Sequence, residues 1–237
     1  MQGSLQALGD FFEFWGKHLP SQADLNVLCP PNVYLGNLAE YIQKYPTLKI
    51  GAQDLSEFAP GAYTGQVAAR MLVDQGCEYV IVGHSECRQY GHDTDEIVAN
   101  KFYAAQRAGL IPILCVGESQ AEYEAGLSHA IVMKQVGEII KREGIAVFQK
   151  AILAYEPIWA IGTGLTATPD QAQALHHLLR QSLAEYDASV ARNLTILYGG
   201  SVKPQNAAAL LAMPDIDGVL VGGASLQAQD FLAICNA

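Results

Sequence analysis

Seven short apolar runs recur along the chain, each closed by turn residues: LNVLCPP from Leu25, LKIGAQD from Leu48, YVIVGHS from Tyr79, IPILCVGE from Ile111, AILAYEP from Ala151, LTILYGGS from Leu194 and GVLVGGAS from Gly218. They are continuous rather than alternating, as expected of strands covered on both faces in a parallel sheet. Amphipathic stretches lie between them. DEIVANKFYAAQRAG puts Ile97, Phe102 and Ala105 at helical spacing, and one long helix is predicted from Ser119 to a stop at Gly144. TPDQAQALHHLLRQSLAEY carries Pro169 where a first helical turn accepts it. Strict β–α alternation without a shift in composition predicts one α/β domain over residues 1–237.

Two parallel architectures use this alternation, an open doubly wound sheet and a closed (β/α)8 barrel. The open sheet usually carries a GxGxxG turn after its first strand, and none stands there. Instead, polar residues gather at many strand ends: His84, Glu118, Glu156, Ser201 and Ser225. Barrels assemble their active sites in this way. The barrel is the expectation, yet a barrel needs eight strands and seven are read. The opening SLQALGDFFEFWGKHL predicts a helix capped by Ser4, with Leu5, Leu8, Phe12, Trp15 and Leu19 on one face, and no strand precedes it. The expected fold is therefore a (β/α)8 barrel with the first β-strand missing from this chain, and with two sheet edges exposed at the seam.

The formal charge of -10 argues against a nucleic-acid or anionic-membrane partner. A small anion remains possible, since backbone N–H groups at helix starts hold phosphate without net positive charge. Five cysteines with no CxxC pair read as reduced thiols. No signal peptide is visible and no apolar run approaches the ~20 residues of a membrane helix, so a cytoplasmic protein is expected.

AYEPIWAIGTGLTATPDQ is the most informative stretch. A carboxylate between a strand end and an apolar loop suits a general base, because poor solvation strengthens its hold on a proton. Glu156 holds that place, although a structural Glu before an ordinary loop fits it equally well. Pro157 and the glycines at 162 and 164 read as the fixed and flexible points of a lid. His84, in GHSECR, could polarise a carbonyl, but a lone strand-end histidine is more often structural. YGGS and VGGAS follow the last two runs, where paired glycines let backbone amides approach an anion. His18, His92, His129, His176 and His177 lack partners at ligand spacing, so no metal site is expected and they read as solvated or half-buried.

Taken together, GHSE, AYEPIWAIGTG, YGGSV and VGGASL, in this order and spacing, resemble the triosephosphate isomerase family from Met1 to Ala237. The resemblance implies interconversion of dihydroxyacetone phosphate and D-glyceraldehyde 3-phosphate through an enediol(ate), without metal or organic cofactor. It implies that Glu156 moves the proton, that a neutral His84 acts as electrophile, and that residues 157–166 form the lid. Gly162, Ser201, Gly222 and Gly223 then hold the phosphate, with Glu86 and Cys115 in support. QDLSEFAPGAYTGQ, with Thr64 near its tip, matches a loop that inserts into a partner subunit, which implies a homodimer.

Three departures accompany the resemblance. Leu165 stands where the family usually has Lys, and Gln66 and Cys87 stand where many members have a Glu–Arg ion pair. The family's first strand ends near N-x-K-M-N-G, and MQGS aligns with its M-N-G end, so Met1 follows the position of the catalytic lysine. The expectation is a working isomerase whose start lies upstream of Met1, with this exact chain of greatly reduced activity. The alternative is a catalytically silent relative that binds triose phosphate.

Overall fold

The computed structural model describes residues 2–20, 25–45, 47–161 and 166–237. Each apolar run contains one strand: β1 (Asn26–Leu28), β2 (Leu48–Ala52), β3 (Tyr79–Val82), β4 (Ile111–Val116), β5 (Ile152–Tyr155), β6 (Thr195–Tyr198) and β7 (Gly218–Val219). They form one parallel sheet in chain order. Tyr79 lies opposite Ile111, and Ile113 opposite Ile152. Parallel neighbours need crossovers, and helices supply them. Helix α1 (Leu5–Trp15) precedes β1, α2 (Leu35–Ile42) joins β1 to β2, and α3 (Ala69–Asp74) joins β2 to β3. Then come α4 (Ser85–Tyr90) and α5 (Asp95–Arg107), α6 (Gln120–Glu124) and α7 (Ser128–Glu143), α8 (Pro169–Tyr186) and α9 (Ala188–Asn193), α10 (Pro204–Leu211) and finally α11 (Ala228–Cys235).

Alternate strand residues serve two cores. Val80, Val82, Leu114, Val116 and Leu153 pack under the helices in the larger one. Tyr79, Ile81, Ile113, Cys115 and Ala154 form a second cluster on the opposite face. Val27 from β1, Leu197 from β6 and Leu220 beside β7 pack against that same small cluster. Side chains from both ends of a flat seven-stranded sheet could not meet this way, so the sheet curls around a barrel interior. This is the expected barrel, with seven parallel strands among the described residues. β1 and β7 are its edges, and their residues are only half-buried. Outside the seam, Phe11 and Trp15 of α1 lie 6.1 and 5.6 Å from Phe231 of α11, ring to ring. Cys235 also donates its thiol to Asn26 Oδ1 at 3.1 Å.

Local signals explain the helix ends. Ser4 accepts from the Ala7 N–H at 3.0 Å, Ser119 and Glu122 form a capping box, and Pro169 opens α8. Two expectations need correction. Leu5 and Leu19 are each 59% exposed, because α1 buries only the narrow stripe around Phe12 and Trp15 and ends at Trp15, before Leu19. The long helix predicted from Ser119 is two, α6 and α7, broken where Gly126 adopts φ +70°.

A third correction concerns His176, which is fully buried in α8 rather than solvated or half-buried. Its Nδ1 lies 3.0 Å from the Asp215 carbonyl, which can only accept, so Nδ1 carries the proton. The Asp215 side chain in turn takes Arg180 and His177 at 3.0 Å and Gln173 at 2.6 Å. Burial pushes the His176 pKa down from 6.5 to about 4. The unfolded chain therefore binds a proton that the folded chain refuses between those values. This contribution to stability is whole above pH 6.5 and is lost as the pH falls towards 4, in total about 3 kcal/mol. Urea unfolding of His176→Gln should show a flatter decline across that window than the parent; an equal slope would contradict the assignment.

Candidate active site

The site lies at the C-terminal ends of the strands. Gly83, at φ +72°, turns the chain sharply after β3, where a Cβ would press on Val98 and the Cys115 carbonyl. His84 follows as the N-cap of α4. Its Nδ1 accepts from the Glu86 N–H at 3.2 Å, and its Nε2 lies 3.0 Å from Glu156 Oε1. Glu156 is the first residue past β5 and is 2% exposed. Its Oε2 accepts from the Ser85 N–H at 3.0 Å. Gly117 lets the ends of β4 and β5 approach, since a Cβ there would collide with the Glu156 carbonyl.

The hydrogen bonds fix the state of the imidazole. A backbone N–H at Nδ1 requires a lone pair there, which leaves the proton on Nε2, facing the carboxylate. Burial works to lower the His84 pKa, but the hydrogen bond and charge of Glu156 outweigh it, aided by Glu86, and the net direction is upward. It is the Glu86 N–H at Nδ1 that calls for the neutral ring, so the arrangement can present an Nε2–H donor beside a buried carboxylate.

The supporting residues separate into two groups. Cys115 sits fully buried on β4, and burial, then the Glu156 charge, push its thiol well up, so it remains S–H. Glu86 has an exposed side chain, and its contact with His84 is made by the backbone. Ser201, past β6, is half-buried and its carbonyl accepts from Asn206 at 2.9 Å. Gly222 and Gly223 are exposed where the chain enters the 3-10 turn Gly223–Leu226 after β7. A Cβ on either would meet nothing within 4 Å, so their backbones border open space. Gly162 and Leu165 lie outside the described residues. Thr64 is exposed on the loop 53–68. That loop is closed by Ser56, whose N–H donates to the Val67 carbonyl at 2.8 Å and whose hydroxyl bonds Gln66.

The start of the lid segment is fastened down. Glu118, fully buried past β4, accepts at one oxygen from Trp159 Nε1 at 2.9 Å and from Tyr155 and Ser128 at 3.0 Å each. Trp159 also stacks on Tyr123 with ring centres 4.1 Å apart. Trp159→Phe keeps a ring but loses the donor to a charged acceptor, which should cost about 1.5–3 kcal/mol in urea unfolding. A smaller loss would mean that stacking rather than the indole N–H holds this segment.

Sequence reasoning missed two buried or half-buried cations. Lys101 bonds Asp54 at 2.7 and 2.9 Å and Asp93 at 2.7 Å. Asp54, Cys87 and Asp93 bring donor atoms within 4.8 Å of one another, but the Lys101 ammonium already occupies both carboxylates. The second cation, Arg88, ties the turn before α4 to the end of β4. A signal for both was available: basic residues inside or beside apolar stretches, in a chain with only 14 of them against 24 acidic ones. Among the described residues no lysine or arginine side chain bonds His84 or Glu156; Lys49 pairs with Glu78, for example, and Lys134 with Asp95.

Comparison with known proteins follows this geometry. The family model described as "Triosephosphate isomerase" matches residues 1–237. A triosephosphate isomerase of Xanthomonas euvesicatoria pv. vesicatoria is 57% identical over 220 residues, covering 93% of this chain and 87% of the relative. That of Dechloromonas aromatica is 51% identical over 240 residues, covering 100% of this chain and 95% of the relative. That of Stenotrophomonas maltophilia is 50% identical over 237 residues, covering 100% and 94%.

Proposed function

The chain belongs to the triosephosphate isomerase family, and from that premise we propose that its site performs the family's reaction with Glu156 and His84 as the reacting pair. The observation that carries this reading is the 3.0 Å contact between His84 Nε2 and Glu156 Oε1, a donor after β3 and a base after β5, on either side of β4. Dihydroxyacetone phosphate has its carbonyl at C2 and its exchangeable hydrogen at C1. Glu156 takes the C1 proton, and the electron pair moves into a C1–C2 double bond while charge develops on the carbonyl oxygen. His84 Nε2–H donates to that oxygen, the type of interaction that strengthens as the charge grows. His84 passes that proton to the C2 oxygen and takes the hydroxyl proton from the C1 oxygen at the same Nε2, and the carboxylate returns its proton to C2, which leaves a C1 aldehyde and a C2 hydroxyl. The two groups must part to face a substrate, since each is the other's partner in the structure.

The phosphate lies against backbone N–H groups at Ser201, Gly222 and Gly223, with Gly162 from the lid. The exposed glycine backbones after β7 and the half-buried Gly200–Ser201 turn after β6 suit this role, as such loops hold phosphate in barrels. The protein works as a cytoplasmic homodimer that docks the loop 53–68, with Thr64 near its tip, onto a second copy; no described helix is long and apolar enough to cross a membrane. The test is isomerisation in D2O. Product should carry deuterium at C2, and Glu156→Gln should form none above background. Binding of dihydroxyacetone phosphate with neither turnover nor exchange would replace this reading with that of a silent triose phosphate binder.

A further inference from the structure

Arg88 serves no part of the chemistry described so far, yet its guanidinium is spent on the backbone beside the reacting pair. Nε donates to the Gly83 carbonyl at 2.8 Å, Nη2 to the Cys115 carbonyl at 3.3 Å, and Nη1 to Asp95 Oδ1 at 2.7 Å. Its own backbone N–H donates to the His84 carbonyl at 3.0 Å. The side chain is 16% exposed. Three acceptors on three segments are thus held by one rigid fork: the turn before α4, the end of β4 and the first turn of α5.

The Gly83 carbonyl belongs to the peptide that leads into His84. Rotation of that peptide would swing His84 Nε2 and the Ser85 N–H together, and these are the two donors that meet Glu156, at 3.0 Å each. Gly83 at φ +72° has no side chain to resist the rotation. We propose that Arg88 is a positioning residue for the His84–Glu156 pair, locking the Gly83–His84 peptide against the end of β4 and so setting the angle at which both donors face the carboxylate. An ordinary exposed ion pair with Asp95 would need none of the carbonyl contacts and would contribute little. The proposal rests on the reading of His84 and Glu156 as the reacting pair.

Arg88→Lys is the informative change, because it keeps the charge and removes the fork. Two measurements apply to the whole 237-residue chain. The first is NMR of 15N-labelled histidine without substrate, with the His84 ring assigned by His84→Gln. The parent should show one tautomer, with the proton on Nε2 protected from exchange. Arg88→Lys should mix the tautomers and lose that protection, while the thermal transition stays cooperative. The second is turnover per folded molecule, where kcat should fall about 10- to 100-fold and KM should change less than about two-fold. An unchanged His84 ring and unchanged kcat in a folded Arg88→Lys chain would overturn the proposal. Should Arg88→Lys fail to fold, Asp95→Asn frees one arm of the fork; a smaller shift of the same ring signals supports the idea and an unchanged ring overturns it. The ring signals need no turnover. A parent that fails to isomerise while Arg88→Lys disturbs His84 would sink the reaction and leave the positioning role standing.

Discussion

Turnover should rise about 10²- to 10³-fold when this chain is preceded by an extended segment that pairs between β1 and β7 and ends in Asn-x-Lys. The substrate brings a phosphate dianion, and a further negative charge develops on its oxygen during proton transfer. Among the described residues no lysine or arginine side chain bonds the reacting pair, and the proposed phosphate cradle consists of backbone N–H groups. A cation at the strand end beside β1 would face both charges in a water-poor site, where such a term is worth far more than in bulk water. β1 and β7 are the two half-buried edges of the sheet, so an added parallel strand has unsatisfied backbone on both sides. A matched extension with Met in place of the Lys separates the two effects. It should raise the melting temperature as much as the lysine form and leave turnover low. Equal turnover by the 237-residue chain and the lysine form would refute the argument.

The second large effect is at Glu156. Glu156→Gln, tested in the more active of those forms, should lower kcat about 10³-fold with little change in KM. An amide cannot take the carbon-bound proton. It also cannot satisfy its neighbours, because both carboxylate oxygens face donors, Ser85 N–H and His84 Nε2–H. One of those donors must meet an NH2 group in a buried site, so stability should fall as well, by about 1–3 kcal/mol. Stopped-flow kinetics on folded protein, normalised by circular dichroism, tells the chemical loss from the structural one. A loss of only a few-fold would move the base elsewhere.

Strand positions were legible because a strand covered on both faces must be apolar at every residue, and all seven runs contain one. The barrel was legible because strand-end polar residues were spread along the whole chain. Helix α6–α7 was misread because apolar spacing continues across Gly126, and periodicity does not register one residue in a left-handed conformation. His84 and Glu156 could be named, but their contact joins residues 72 positions apart and only the folded strand ends show it. Arg88, Lys101 and His176 escaped for one reason. Their partners are backbone carbonyls or carboxylates on other segments, and local pattern says nothing about which distant acceptor a basic side chain reaches.

The pairing of the first helix with the last has a consequence for how the molecule is made. Asn26 and Cys235 touch across 209 residues, and Phe231 packs on Phe11 and Trp15. Contacts of such separation carry nearly the full loop-closure entropy of the chain. They form late, because a ribosome releases α11 long after α1. Until then Phe11 and Trp15 of α1 lack Phe231, and β1 is held by β2 alone. Removal of α11 should therefore loosen α1 and β1, two hundred residues away, as well as the helices beside it.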